Sequence, residues 1–399
     1  MSDNDSFTET TSTSWGSRLG SSFGGIGMGI VLFIAATALL YWNEGRAVRT
    51  GDAIAEAQLA TVPLPSITKV DPAFDGKTVY ATGRAVTKDV LTDSDFGVKV
   101  NAIGLNRKAE FYQWTQQSKS ETKKKLGGGE ETVTTYTYSK KWVSSPVDSQ
   151  SFKSPSGHEN TVRVQTDSQK FMADNVTFGA YRLPKFLVKS ISGAKPLDIS
   201  MTEEQRAELQ KKLFSRDPNP SAQSAGGPTT MVHTQGNMLY FGRSPSEPRV
   251  GDVRLTFTEI PQNDISIIAT VSGSTFKQFR ASNGNTFSKL SMGEQDMNAM
   301  FDAAKSSNSI MTWVGGIRML VAPLQVLADV VPFIGSIVGL GTSLVSGVIG
   351  TAWSLLVIAF SWIRFRPVLG ACLLGAALLL CAALILRARA RKKQAPVRS

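Results

Sequence analysis

Few residues in this chain have the types and spacing that chemistry requires. The sequence has only two histidines, His158 and His233, and neither has a partner at ligand spacing. A zinc site needs several His or Cys ligands, and a calcium site needs clustered carboxylates. The sequence contains no phosphate-binding glycine loop, no GxSxG turn and no zinc-hydrolase motif. We therefore predict no catalytic residues, no metal and no cofactor, and a protein that is not an enzyme.

Three polar residues inside an apolar segment form the most suggestive set. Arg318, Gln325 and Asp329 are spaced by seven and then four residues, so they share one face of a helix. An arginine near the middle of a membrane span costs roughly 2.5–3.5 kcal/mol and usually faces a partner or water. The set indicates either a polar path or an arginine that reaches the membrane surface beside Trp313. The second explanation is favoured.

The apolar segments predict the elements that would position these residues. Residues 24–42 carry no charge, and at about 1.5 Å per residue a stretch of this length crosses a hydrocarbon core of roughly 30 Å. From Trp313 to Leu386 the chain is again mostly apolar. We predict a membrane α-helical bundle of four spans, one N-terminal and three C-terminal, with a large β-rich α+β domain outside the membrane. The predicted segments are 1–23 (disordered polar tail), 24–42 (span 1), 43–309 (β-rich domain), 313–331 (span 2), 336–362 (span 3), 367–386 (span 4) and 387–399 (basic tail).

Positive charge is concentrated at the C-terminal end of a chain whose formal net charge is +11. Each basic residue near a membrane surface attracts anionic headgroups by about 1 kcal/mol, and basic flanks mark the cytoplasmic side. The tail is therefore predicted to be cytoplasmic and the β-rich domain extracytoplasmic, with no nucleic-acid partner. The alanine-rich spans favour a bacterial inner membrane, with the domain in the periplasm. The predicted lipid contacts are Arg387, Arg389, Arg391, Lys392 and Lys393.

Small residues recur every four positions within the predicted third span and just before it. Residues of this size let helices approach closely in lipid. We therefore predict helix packing and a homo-oligomer through this stripe, which consists of Gly335, Gly339, Ser343 and Gly347.

The polar domain has the residue patterns of strands. Lys108–Gln116 and Thr132–Trp142 are rich in β-branched and aromatic residues, which predicts a long hairpin. The lysines at its tip are Lys119, Lys123, Lys124 and Lys125, and a solvated turn is favoured there over a partner-binding tip. Residues 201–213 predict a helix, with a Thr cap and acids before lysines. Other strands are predicted at 77–84, 231–241, 251–260 and 265–271, and another helix at 293–306.

A short charged segment directly follows the first predicted span. It consists of Asn43, Glu44, Gly45 and Arg46. Charges end a span, Gly45 would let the chain turn, and Asn43 could cap a following helix. With Trp313 on the other side, residues 43–49 and 306–313 are predicted to form a neck that couples the domain to the bundle. A generic membrane border would have the same composition.

Several short segments, taken in order, resemble the LUMA (transmembrane protein 43) family. No single motif is specific, but the order, the spacing and the one-plus-three layout are similar over nearly the full length. The segments are Asn43–Ala47, Phe96–Val98, Tyr112–Trp114, Tyr136 and Tyr138 with Trp142, Ser151–Phe152, Gly157–His158, Gly251–Arg254, Ser307–Ser309, Thr312–Trp313 and Arg366–Pro367.

The resemblance implies a role in organising membrane complexes. Eukaryotic members look like proteins of the endoplasmic reticulum and inner nuclear membrane that self-associate and contact lamina-associated proteins, and the resemblance carries over no catalytic residues. We expect a self-associating scaffold that binds membrane proteins still to be identified. A channel or transporter using the polar face of span 2 is the alternative, and a lipid-modifying enzyme is a weaker one.

Overall fold

The structure, a computed structural model, describes residues 5–125, 129–214 and 231–311, together with residues 371, 372, 375 and 379. The chain divides into two units. Unit 1 comprises Met1–Thr13, Thr61–Lys277 and Ser288–Gln295, and unit 2 comprises Ser14–Ala60, Gln278–Phe287 and Asp296–Ser399.

Strands account for most of the regular structure in the described residues. In chain order they are β1 (Asp5–Thr13), β2 (Thr61–Pro63), β3 (Thr78–Thr87), β4 (Leu91–Asp93), β5 (Val98–Val100), β6 (Gly104–Lys124), β7 (Glu130–Val143), β8 (Gln169–Met172), β9 (Val176–Phe178), β10 (Tyr181–Arg182), β11 (Lys195–Pro196), β12 (Val232–Gln235), β13 (Met238–Phe241), β14 (Val253–Ile260), β15 (Asn263–Ser272), β16 (Thr275–Lys277), β17 (Phe279–Arg280), β18 (Thr286–Phe287) and β19 (Lys289–Met292). The helices are α1 (Trp15–Ala60), α2 (Lys185–Val188), α3 (Glu203–Phe214) and α4, residues 297–311.

Unit 1 is built on two large sheets. The first has the order β1-β7-β6-β14-β13-β12, with β8 paired to β6 and β11 to β14. The second has the order β19-β15-β16-β10-β9-β3-β2, and an additional pairing joins β15 to β3. Strands β4 and β5 form a separate two-stranded sheet and lie between β3 and β6 in the chain. The long hairpin β6–β7 therefore lies inside the first sheet, with β1 on its outer edge.

One hydrophobic core takes side chains from both sheets of unit 1. Alternate residues of a strand point to the same face, and β14 shows this alternation, with Val253, Leu255 and Phe257 fully buried. Ile265 and Ile267 of the second sheet belong to the same buried cluster. Packing of two sheets through one apolar layer therefore explains why these β-branched and aromatic residues form strands.

In unit 2 the C-terminal half of α1 packs against α4 and the hairpin β17–β18. Phe287 stacks on Phe301 with ring centroids 5.6 Å apart. The Glu56 carboxylate accepts hydrogen bonds from the backbone N–H and the hydroxyl of Ser282. Lys305 Nζ donates to Gln58 Oε1 over 2.7 Å. Residues 43–60 belong to α1, which begins at Trp15, so Asn43 does not cap a separate helix.

Most of the strands and helices predicted for the polar domain are confirmed. The predicted hairpin is β6–β7, with the register Tyr112↔Trp142. Helix α3 begins where its capping residues predict, because Thr202 Oγ1 accepts from Gln205 N while Gln205 Oε1 accepts from Thr202 N. The single strand predicted at 231–241 is instead the tight hairpin β12–β13.

The predicted fold class, a four-span membrane α-helical bundle, is wrong for this structure. The described residues are mostly β-sheet, and no helix among them is both long and apolar enough to cross a membrane. A count of uncharged residues gives the length of a segment and leaves open what that segment packs against. The segments 313–331, 336–362 and 367–386 lie outside the described residues, except for the four isolated positions.

The N-terminal segment also differs from its prediction. The sequence indicated a disordered tail over residues 1–23, whereas the structure has β1 at Asp5–Thr13 and α1 from Trp15. Amino-acid composition reflects only the segment itself, whereas an edge strand is ordered by pairing with a strand that is far away in the sequence. Thr-rich segments suit that pairing.

Candidate interaction site

The candidate site is the outer edge of β7, which is occupied by β1. The two strands pair antiparallel over nine residue pairs, from Asp5↔Tyr138 to Thr13↔Glu130. Most side chains of β1 are exposed, and only Glu9 and Thr13 are half-buried. The strand is therefore held mainly by its backbone ladder and by a few polar contacts. We call this pairing the β1–β7 edge.

Two acidic side chains attach β1 to the rest of unit 1. Glu9 Oε2 lies 3.0 Å from Lys153 Nζ and accepts a hydrogen bond of 3.2 Å from the Tyr136 hydroxyl. Asp5 Oδ2 lies 3.4 Å from His158 Nε2. His158 Nδ1 faces the carbonyl oxygen of Ser154 at 2.8 Å and must carry a hydrogen, so an ion pair with Asp5 requires the protonated ring.

Beneath these contacts lies an aromatic floor, which we define as Trp114, Tyr138, Phe152 and His158. The His158 ring stacks on Tyr138 with centroids 4.0 Å apart, and it meets Trp114 edge-on at 4.8 Å. Tyr138 is fully buried and His158 nearly so. Packing on Tyr138 and Trp114 fixes the His158 ring at the point where it contacts Asp5 of β1. Lys153, which follows Phe152 of the floor in the chain, contacts Glu9 of β1.

The Tyr138 hydroxyl joins the hairpin to the segment that follows it. It donates to Gln116 Oε1 over 3.0 Å and accepts from Ser154 N over 2.9 Å. Gln116 Oε1 also accepts from Lys153 N over 2.6 Å. The backbone carrying Lys153 is therefore positioned by a buried phenol.

We expect Tyr138→Phe to lower the free energy of unfolding by about 1–3 kcal/mol, because it leaves buried polar partners unsatisfied. Tyr136→Phe is the matched control and should cost under about 1 kcal/mol, because water can replace its half-exposed bond to Glu9. Chemical denaturation followed by tryptophan fluorescence measures both. Equal losses from the two variants would contradict this assignment.

The contacts of Glu9 make the β1–β7 edge sensitive to acid. The hydrogen bond from Lys153 and its charge hold the pKa of Glu9 below the ordinary value of 4.5. A lowered pKa in the folded state means that the contact stabilises the protein above the ordinary pKa, and that this contribution is lost as the pH falls through the lowered value.

We therefore expect the backbone amides of residues 5–13 to lose protection from hydrogen exchange, corrected for intrinsic rates, as the pH falls below 4.5. Glu9→Gln is the control. It cannot titrate, so its protection should be flatter over the same range. Identical pH profiles for the two proteins would contradict a role for Glu9.

A second polar cluster is structural. The carboxylate of buried Asp252 accepts from the Tyr240 hydroxyl at 2.6 Å, from Arg163 Nε at 2.7 Å and from Arg249 N at 2.8 Å. Burial and the hydrogen bond to Asp252 raise the pKa of Tyr240 well above its usual value. The phenol thus stays protonated, which suits a structural donor better than an acid–base catalyst.

A groove of about 560 Å³ lies between the turn before β5 and helix α3. Asp95, Asp198 and Glu208 line it together with Lys99 and Lys212. Because side chains of both charge signs line it, the groove favours neither a cation nor an anion. Within the described residues, no group of three or more His, Cys, Asp or Glu side chains could hold a metal ion.

The structure places part of the predicted neck. Asn43 and Glu44 are buried, and Arg46 donates to Asn43 Oδ1. Asn308 Nδ2 donates to the carbonyl oxygen of Ala47 over 2.9 Å, so the two segments of the neck meet. No chain turn occurs at Gly45, because α1 continues through it. A glycine weakens a helix without being obliged to break it.

The other predicted site residues lie outside the described part of the chain. They are Trp313, Arg318, Gln325, Asp329, Gly335, Gly339, Ser343, Gly347, Arg387, Arg389, Arg391, Lys392 and Lys393. At the hairpin tip, Lys119 pairs with Glu121 and Lys125 with Glu131, so these lysines have acidic neighbours. The sequence reasoning missed Glu9 and Lys153, and the Thr-rich composition of residues 6–13 was the available signal for a strand.

Comparison with known proteins places the chain among relatives of similar length. A family model described as "Transmembrane protein 43" matches residues 111–367. The chain is 28% identical to transmembrane protein 43 of Rattus norvegicus over 390 residues, which are 92% of this chain and 90% of the relative. It is 27% identical to the Homo sapiens protein over 383 residues (90% and 89%), and 25% identical to a Drosophila melanogaster homolog over 363 residues (87% and 90%). No solved structure matches.

Proposed function

This chain belongs to the transmembrane protein 43 family, and from that membership we propose that it is a membrane protein that organises protein complexes by self-association. In this proposal, unit 1 is the interaction domain. Its role is to bind protein partners through the backbone groups of the sheet edge and the polar side chains beside that edge. The proposal covers homo-oligomers and other membrane proteins as partners.

The observation that carries the proposal is the strand addition at the β1–β7 edge. A strand added to a sheet edge is a common way for proteins to recognise an extended segment, since the backbone supplies affinity and the side-chain positions supply specificity. Here β7 already holds such a segment, from a distant part of the chain, in a nine-pair register.

Two observations support the membrane part of the proposal. The relatives are named transmembrane proteins. Helix α1 also exposes large apolar side chains, and patches of this kind mark contacts with membranes or proteins. They are Val31, Ile34, Leu39 and Trp42.

The orientation and the lipid contacts are proposed from the sequence alone. The basic tail at 387–399 would face the cytoplasm and contact anionic headgroups. Unit 1 would then lie on the extracytoplasmic side: the periplasm in a bacterium, or the lumen of the endoplasmic reticulum or nuclear envelope in a eukaryote.

Native mass spectrometry of the full chain, isolated from its own membranes in mild detergent, tests the proposal. We expect a homo-oligomer or a stoichiometric complex with a membrane protein. A single copy carrying only bulk lipid would contradict it. A protein carrying Asp5→Lys and Glu9→Lys serves as the control. The amount of any partner bound through the β1–β7 edge should decrease severalfold in this variant, whereas partners bound elsewhere should persist.

A further inference from the structure

We propose that β1 is an exchangeable strand: residues 5–13 of one copy pair with β7 of a second copy, in the register seen within the chain. This inference rests on the proposed self-association and names the surface that performs it. It assigns to the outer edge of β7 a partner of defined chemistry, the N-terminal segment of another copy.

Few side-chain contacts hold β1 in place. Seven of its nine side chains are exposed, so little apolar area is lost when it leaves. What remains is the backbone ladder together with the contacts of Glu9 and Asp5. Those bonds are the same whether the strand comes from the same copy or from another. Exchange between copies is for this reason a low-cost route to dimers.

Departure of β1 would leave the outer edge of β7 without a partner strand. The side chains of β7 along this edge are half-buried or buried, and Tyr138 is fully buried. An empty edge would expose a row of unpaired backbone N–H and C=O groups, which natural sheets avoid. Departure of β1 therefore favours replacement by an equivalent strand over a vacant edge.

The side chains at the edge of β7 determine which strand can pair with it. The edge offers Lys153 opposite position 9 and His158 opposite position 5, while Tyr136 meets a ring at position 7 with centroids 6.2 Å apart. An occupant needs two acids four residues apart, with an aromatic residue between them. Residues 5–9 of a second copy (Asp-Ser-Phe-Thr-Glu) meet all three requirements.

Ser14 alone connects β1 to α1 in the chain. Short connections of this kind are among those that favour exchange of an element between copies.

Cysteine cross-linking between differently tagged copies tests the inference. The background carries Cys372→Ala and Cys381→Ala. One copy carries Thr11→Cys and the other Thr132→Cys, two positions that are opposite in the register. A second pair, Thr10→Cys with Val133→Cys, is made in parallel, because neighbouring pairs alternate between wide and narrow spacing and the narrow one suits a disulfide.

Thr11→Cys combined with Lys140→Cys is the matched control, since Lys140 is exposed on β7 but lies beyond the paired region. After co-expression and mild oxidation in detergent, we expect at least tenfold more cross-linked heterodimer from the matched pair than from the control. A single chain carrying both Thr11→Cys and Thr132→Cys must also cross-link, which shows that the register is correct.

Equal yields from matched and control pairs, or cross-links confined to the doubly substituted chain, would overturn the exchange. In that case a homo-oligomer of the unsubstituted protein in native mass spectrometry would leave the proposed function intact and assign it to another surface. A single copy in native mass spectrometry would contradict both the strand exchange and the proposed function. Failure of the doubly substituted chain to cross-link would overturn the register itself.

Discussion

Replacing Asp93 with alanine should lower the free energy of unfolding of unit 1 by about 3–5 kcal/mol, the typical cost of leaving a buried charge without its partner. Arg107 Nη1 lies 2.8 and 2.7 Å from the two carboxylate oxygens of Asp93, and both side chains are almost fully excluded from water. The guanidinium also lies over the Phe96 ring at 4.8 Å. Asp95 and Asp167 also pair with the guanidinium, but both are largely exposed and would compensate only in part for the loss of Asp93.

The matched control is Asp95→Ala. Asp95 also pairs with Arg107 Nη1, at 3.2 Å, but 64% of its side chain is exposed. Because solvent-exposed pairs contribute little, this change should cost under about 1 kcal/mol. Urea denaturation of both variants measures the difference. Similar losses from the two substitutions would contradict the assignment of Asp93 as the principal partner of Arg107.

The second large effect is expected from Gly179→Ala. Gly179 has φ +61, and an added Cβ would lie 2.1 Å from the backbone oxygen of Ile67. That oxygen is fixed because it accepts a hydrogen bond of 2.8 Å from Ala180 N. The left-handed conformation costs an alanine about 1–2 kcal/mol, and overpacking adds about 1–3 kcal/mol.

Gly273→Ala separates these two contributions. Gly273 has nearly the same φ, +59, with nothing within 4 Å of an added Cβ. Gly273→Ala should lower the free energy of unfolding only by the conformational cost, about 1–2 kcal/mol. Gly179→Ala should lower it clearly more. Denaturation midpoints of the two variants provide the comparison. Equal midpoints would show that the backbone around Ile67 moves to accommodate the added methyl group, which would contradict the expected overpacking.

Local patterns explain which elements the sequence predicted correctly. The β-branched and aromatic residues of Lys108–Gln116 and Thr132–Trp142 identified the hairpin β6–β7, because such residues favour extended strands. The Thr202 cap and the order of acids before lysines identified the start of α3. All of these signals lie within a few residues of the element that they describe.

Signals that depend on distant partners could not be identified in this way. The disorder predicted for residues 5–13 ignored β7, which lies more than a hundred residues away in the chain. Asp252 and Arg163 are likewise far apart in sequence, and nothing local pairs them. The four-span bundle failed for a related reason, since uncharged length alone does not show what a helix packs against.

The measurement that most directly tests self-association through the β1–β7 edge is native mass spectrometry of the purified full chain beside a variant carrying Thr10→Pro and Thr11→Pro. Proline cannot donate to a strand ladder, and two consecutive positions ensure that one of the lost N–H groups faces β7. We predict oligomers for the unsubstituted chain and at least a tenfold smaller oligomeric fraction for the variant. Equal oligomeric fractions, or an unsubstituted chain that is entirely monomeric, would contradict the account.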